Sequence, residues 1–195
     1  MKKLIFITSI ILFANNVFAK AIFVGERHAF KTIQQALLNV EDGDSVLVDA
    51  GHYHEKNIII DKTIFLIGLN HPVLDGDNKY EIISIKANGA VVDGFKLIRS
   101  GISSIEDYAG IKIYGCRDVI VRNNILEETF FGIYSQYGTN CIIENNKLTA
   151  YSKVEQESGN GIHCWKSDSM RIIANTIIGH RDGIYFEFVK NSVIW

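Results

Sequence analysis

Along the second half of the chain, apolar and polar positions repeat with a fixed spacing. The pair Gly-Ile recurs at Gly110-Ile111, Gly132-Ile133, Gly161-Ile162 and Gly183-Ile184, at intervals of 22, 29 and 22 residues. An asparagine follows fourteen residues after each of the first three glycines: Asn124, Asn146 and Asn175. The longer interval holds an insertion near residues 150–160. Two markers in one register indicate stacked repeats. The apolar runs within each repeat, at 119–121, 142–143 and 172–173, are too brief for helices and suit strands of a parallel stack. The pattern therefore predicts an all-β fold, a right-handed parallel β-helix, with the clear repeats over 110–195. Asparagine tolerates left-handed backbone, and stacked amides bond to one another, so Asn124, Asn146 and Asn175 are expected to form an internal ladder at a turn.

Upstream the repeat weakens. Asp93-Gly94 takes the place of Asn123-Asn124, and Tyr80 that of Gly110. Residues 45–49, 58–69 and 81–86 read as earlier, irregular coils. Residues 31–40 change period: Ile33, Ala36, Leu37 and Val40 follow the spacing of an amphipathic helix, with Gly43 beyond it. A bare parallel edge recruits other strands, so this helix is expected to cap the first coil. The chain stops at Ile194-Trp195, partway through a coil, which reads as a truncated reading frame, a fragment, or a chain whose last coil docks on something else. The open last coil is expected to make the isolated chain self-associate.

Strand alternation sorts each repeat into faces. The isoleucine after each glycine points in, as do Ile113, Ser135, Cys164 and Phe186. Lys112, Tyr134, His163 and Tyr185 point out, followed by Tyr114, Gln136, Trp165 and Glu187. Coils about 4.8 Å apart would bring Tyr134, His163 and Tyr185 together on an outer face, with Trp165, Arg181, Asp182 and Glu187 beside them. Aromatics suit strands in any protein, and they are also enriched where partners or sugars bind. No two cysteines share a column, so no disulfide is expected among Cys116, Cys141 and Cys164.

Composition narrows the function. Isoleucine is counted 31 times against 11 leucines and 11 alanines, which favours β-structure. Residues 1–19, MKKLIFITSIILFANNVFA, carry two lysines, an apolar run too short to span a bilayer, and small residues at Val17 and Ala19. They read as an export signal cleaved before Lys20, leaving one domain over 20–195 and no transmembrane segment. Without them the chain has 18 bases and 22 acids, not the balance of a nucleic-acid binder.

Among ligand-type residues, His163, His180, Met170 and Cys164 are of the soft or borderline kinds that suit copper. His52 and His54, two apart, would share a face. None of these sets has a recognised metal-motif spacing. The polar turn at His180-Arg181-Asp182 reads as salt-bridged. The β-helix enzymes that cleave or modify polysaccharides need clustered acids, whereas here the acids are dispersed. No catalytic residue is assigned.

The stretch 157–194 carries a resemblance, most specifically in GHRDGIYFEF (179–188). It resembles the NosD family, the periplasmic component of the nitrous oxide reductase maturation system. FKTIQQAL, DAGHYHEKNIIIDKTIFLIG and PVLDGDN fit the same family's opening coils. Cys164 departs from it, since relatives carry an apolar residue there. The resemblance implies a periplasmic, non-enzymatic accessory protein. It implies as partners the ATPase and membrane subunit of an ABC transporter, a copper chaperone and nitrous oxide reductase. Copper as a transient ligand, a carried sulfur species and a purely scaffolding role all fit the resemblance. A carbohydrate-binding or carbohydrate-modifying β-helix protein is the alternative.

Overall fold

The computed structural model describes residues 19–103, 105–151 and 158–195. The proposed export signal at 1–19 lies, but for Ala19, outside them. Three parallel sheets of eight, six and six strands wrap one core, so the fold is a parallel β-helix. A typical coil gives Ala109–Tyr114 to one six-stranded sheet, Ile120–Arg122 to the eight-stranded sheet and Ile125–Glu127 to the other six-stranded sheet. The next coil repeats this with Phe131–Gln136, Ile142–Glu144 and Lys147–Thr149.

Each sheet contributes an inward column. Val46, Leu66, Val92, Val121, Ile143 and Ile172 line one, and Leu74, Leu97, Leu126 and Leu148 another, all buried. Ile58, Ile83, Ile111, Ile133 and Ile162 line the third. Burial stabilises each such side chain by about 1.5–3 kcal/mol relative to exposure. The glycine before the last three isoleucines is needed for space. A Cβ on Gly132 would meet Leu148 Cδ2 at 2.3 Å and the Gly161 carbonyl at 2.4 Å.

Asn124, Asn146 and Asn175 form a hydrogen-bonded ladder inside the turn between two sheets. Asn124 Nδ2 donates to Asn146 Oδ1 and Asn146 Nδ2 to Asn175 Oδ1, each at 3.0 Å. Each amide also donates to a carbonyl of the coil before it: Val92, Val121 and Ile143. The left-handed backbone lies one residue earlier, at Gly94, Asn123, Asn145 and Ala174, so the ladder asparagines serve through their amides.

Two upstream alignments need correction. Val92 pairs with Val121 and Ile83 with Ile111. Gly94 therefore sits beneath Asn123, Phe95 beneath Asn124, and Ile82 beneath Gly110. The fully buried Phe95 ends the ladder, its N–H bonded to Asn124 Oδ1 at 3.0 Å.

The helix is also shorter than its period predicts, Ile33–Leu37. Thr32 caps its start, and the Glu55 carboxylate accepts from the N–H groups of Ile33 and Gln34 at 2.7 and 2.9 Å. Its buried face, Ile33 and Ala36, packs against strands Ala21–Val24, Ser45–Val48 and Ile58–Ile60. On the last coil, Phe188, Ile194 and Trp195 are exposed.

Candidate functional site: the aromatic face

Lys112, Tyr134, His163 and Tyr185 stand in one cross-strand row. The rings of Tyr134 and His163 stack at 4.6 Å and 14°, and Tyr185 meets His163 edge-on at 5.1 Å. Their strands do point them away from the core, but only Tyr185 is exposed. Lys112, Tyr134 and His163 are covered, at 6%, 4% and 9% exposure, which corrects the expected open surface.

The cover comes from residues at the heads of the strands, with help from the segments just before them. Phe131 lies 5.3 Å from the Tyr134 ring and 5.6 Å from His163, and with Ala109 it forms a second apolar cluster outside the main core. Gly159 packs against the Phe131 ring. Lys112 Nζ reaches the Asp107 carbonyl at 3.2 Å and sits 4.9 Å from the rings of both Tyr114 and Tyr134. Below it, the Tyr114 hydroxyl donates to Glu81, whose buried carboxyl is raised by burial against Ser84 and Lys112. Glu81 escaped the sequence reading because its coil is irregular.

Beside this covered row lies a more open rim. Trp165 is half-buried, edge-on to Tyr137 at 4.9 Å, with Lys166 Nζ 4.4 Å from its ring. Glu187 Oε2 is 3.7 Å from His163 Nε2, close but beyond a hydrogen bond. Arg181 pairs with Asp182 at 3.3 Å and donates to Asn160 at 3.1 Å, so this turn is ion-paired.

His163 and His180 have no hydrogen bond to either buried ring nitrogen among the described residues. Burial pushes both imidazoles toward the neutral form, His180 down to about 4. For His163 the nearby Glu187 carboxylate works against that shift. For His180 the opposing group is the Gly159 carbonyl, which already accepts from Arg181 N–H at 3.1 Å.

The four ligand-type residues do not form one cluster. Cys164 follows His163 on a strand and points to the opposite face, into the core, where burial pushes its thiol up to about 12. Met170 is also interior, its sulfur 4.0 Å from Ser135 Oγ. Cys116, Cys141 and Cys164 are buried free thiols. A different set converges in the N-terminal coils. His52 Nε2 lies 3.1 Å from Asp75 Oδ2, and His54 Nδ1 lies 3.1 Å from Asp77 Oδ1. The His-x-His of GHYHE thus overlies the Asp-x-Asp of LDGDN 23 residues later. That coincidence of spacing was the available signal.

A family model described as periplasmic copper-binding protein (NosD) matches residues 37–194. The chain belongs to the NosD family. A curated NosD relative from Pseudomonas aeruginosa, named a probable ABC transporter binding protein, is 25% identical over 144 residues, 73% of this chain. The chain spans about a third of that relative's length, 34%. Among solved structures, pectin methylesterase from Aspergillus niger aligns over 89% of this chain and 85% of its own, at 14% identity and a TM-score of 0.42. No helix among the described residues is long and apolar enough to cross a membrane.

The NosD description raises the question of which side chains here suit copper. The thioether and thiols are of the right softness, but they are sealed in the core. The exposed imidazoles of His52 and His54 with Asp75 are the donors that an ion from solvent can reach.

Proposed function

We propose that this chain is an exported accessory protein that helps nitrous oxide reductase acquire its copper centres in the periplasm, and that it catalyses no reaction itself. It would act with a copper chaperone and with an ABC transporter made of a membrane subunit and an ATPase. The observation that carries this reading is the family match, which runs through nearly every coil from the capping helix to the last strand. The relative named as an ABC transporter binding protein supports the transporter as a partner. On this reading residues 1–19 are removed on export, and N-terminal sequencing of the exported protein begins at Lys20.

The docking surface would be the rim of the aromatic face: Trp165, Tyr185, Glu187, Arg181 and Asp182. Tyr134 and His163 set its shape from beneath, since both are buried. Half-exposed aromatic and arginine side chains are the usual anchors of protein interfaces. His163 would offer a transient copper ligand only if the rim moves, whereas Trp165 needs no such change. The test is copper loading of the reductase in cells whose copy of this gene carries Trp165→Ala. Loss of loading at unchanged abundance of the altered protein is expected. Full loading removes this face as the working surface.

A further inference from the structure

His52 and His54 lie two residues apart on the same side of their segment, with rings stacked at 4.5 Å and 16°. The side chain between them, Tyr53, packs instead against the core. The neighbouring coil places Asp75 behind the two rings, its carboxylate with no exposure. One ligand atom from each of His52, His54 and Asp75 lies within 4.8 Å of the others. The imidazoles are half exposed, 49% and 54%, and His52 also borders a cleft of about 570 Å³ with Glu26 and Asp49. An ion would therefore approach from water toward a carboxylate fixed in position.

That carboxylate is unusually well held. Arg99 donates to both of its oxygens, through Nε to Oδ1 at 3.1 Å and through Nη2 to Oδ2. The Asp77 N–H adds a bond to Oδ1 at 2.9 Å. Burial alone would raise the Asp75 carboxyl, but Arg99, the Asp77 N–H and His52 together hold it below the usual carboxylate range. The second histidine is oriented as well. Asp77 engages His54 Nδ1, which leaves Nε2 as the free donor, the arrangement by which an outer carboxylate fixes a ligating imidazole.

The spacing of His52 Nε2 and Asp75 Oδ2, 3.1 Å, also fits shared coordination. Two ligands each about 2.0–2.1 Å from one ion, at right angles, stand about 2.9 Å apart. An ion could take the place of the proton between them with little movement of either side chain.

We propose that His52, His54 and Asp75 form a binding site for a divalent transition ion of the Cu(II) or Zn(II) class. Two imidazoles and one carboxylate are borderline-to-hard donors, suited to these ions rather than to Cu(I). Three protein ligands leave room for water or an incoming ligand, as an exchanging site requires. Asp77 and Arg99 act as positioning residues. The site goes beyond the docking role and rests on donor geometry alone.

The test uses the full chain, purified without a histidine tag. Cu(II) and Zn(II) salts are titrated separately by calorimetry in a non-coordinating buffer, and the Cu(II) form is examined by electron paramagnetic resonance. One ion per chain is expected, with two nitrogen ligands in the Cu(II) spectrum. His52→Gln or His54→Gln alone should weaken binding at least about tenfold, and the double variant should abolish it. His28→Gln, in a neighbouring pair with Asp49, should leave it unchanged. Because a variant can misfold, a second readout uses the unaltered chain. Substoichiometric Cu(II) should broaden the ring NMR signals of His52 and His54 before those of His163 and His180. Undiminished binding by the folded double variant, absence of binding by the unaltered chain, or broadening of His163 first would each overturn the site. None of these results depends on copper loading in cells, so the site and the docking face fail separately.

Discussion

Two groups of histidines occupy one solenoid under opposite conditions. His163 and His180 are held against the C-terminal coils with their ring nitrogens buried and without hydrogen bonds. His52 and His54 stand half in water, each against a carboxylate from the next coil. The first group is shaped by packing, and burial keeps its imidazoles neutral. The second is shaped by partners, and its rings remain open to ligands. His163 and His52 each sit on a strand, whereas His180 lies in the turn before Gly183. What decides between the two outcomes is whether a neighbouring side chain covers the outward ring. Phe131, the first residue of its strand, packs over Tyr134 and His163 with Gly159 against its own ring, whereas the rings of His52 and His54 stay half exposed.

If packing dominates the aromatic face, its truncation gives the largest effect. Phe131→Ala, which opens the cluster over Tyr134 and His163, is expected to cost about 3–5 kcal/mol. His54→Ala, at an exposed ring, should stay within about 0.5 kcal/mol. Urea denaturation of the two variants beside the parent chain measures both. Equal destabilisation would erase the contrast.

A smaller effect is expected from Asp75→Asn. The change keeps volume but weakens the hold on Arg99 and His52 around a buried oxygen pair, at about 1–3 kcal/mol. Stability should fall in the second group only through this carboxylate, with His52→Gln nearly silent. A midpoint that moves with His52→Gln as much as with Asp75→Asn would show that the imidazole itself carries structure.

The same contrast explains how much could be read from the sequence. The Gly-Ile column and the asparagine ladder were legible because identical residues return in register, and both reflect constraints of space and hydrogen bonding that each coil shares. Phe95 was not legible as the ladder's end, since an apolar ring there obeys no repeat. The burial of Tyr134 and His163 was not legible either. Alternation fixes which side of the sheet they face, but it does not show that Phe131, at the head of one strand, lies over them. Separating His163 from Cys164 needed only the same alternation, since neighbours on a strand cannot share an ion across the sheet. Asp75 came within reach only through the offset of 23 residues between His-x-His and Asp-x-Asp.

The pH dependence of stability sharpens the comparison further. His180 titrates near 4 in the folded chain because it is buried, against about 6.5 when unfolded. Between those values the unfolded chain binds a proton that the folded chain refuses. Stability from this residue is therefore full above about 6.5 and is lost as pH falls toward 4, at no more than about 1.4 kcal/mol per pH unit. His180→Gln should flatten the melting temperature across that window relative to the parent chain. An unchanged slope in His180→Gln would mean that the ring is hydrated in solution.

The smallest expected effect tests the one contact that joins His163 to the exposed rim. Glu187 Oε2 stands 3.7 Å from His163 Nε2 and is partly exposed, so water screens its charge. Burial lowers the His163 pKa, and the carboxylate is the leading influence in the other direction. Glu187→Gln removes that charge while keeping the shape. His163 should then titrate at lower pH than in the parent chain, followed by its ring NMR signals. The sign is fixed by the physics: losing a nearby negative charge disfavours imidazolium. If the pKa instead rises, burial is not what holds His163 neutral. If it stays where it is, the side chain of Glu187 has turned to solvent and the rim is not coupled to the ring beneath it. In either case the docking surface loses its link to His163, and Trp165 and Tyr185 remain as the side chains through which a partner would be felt.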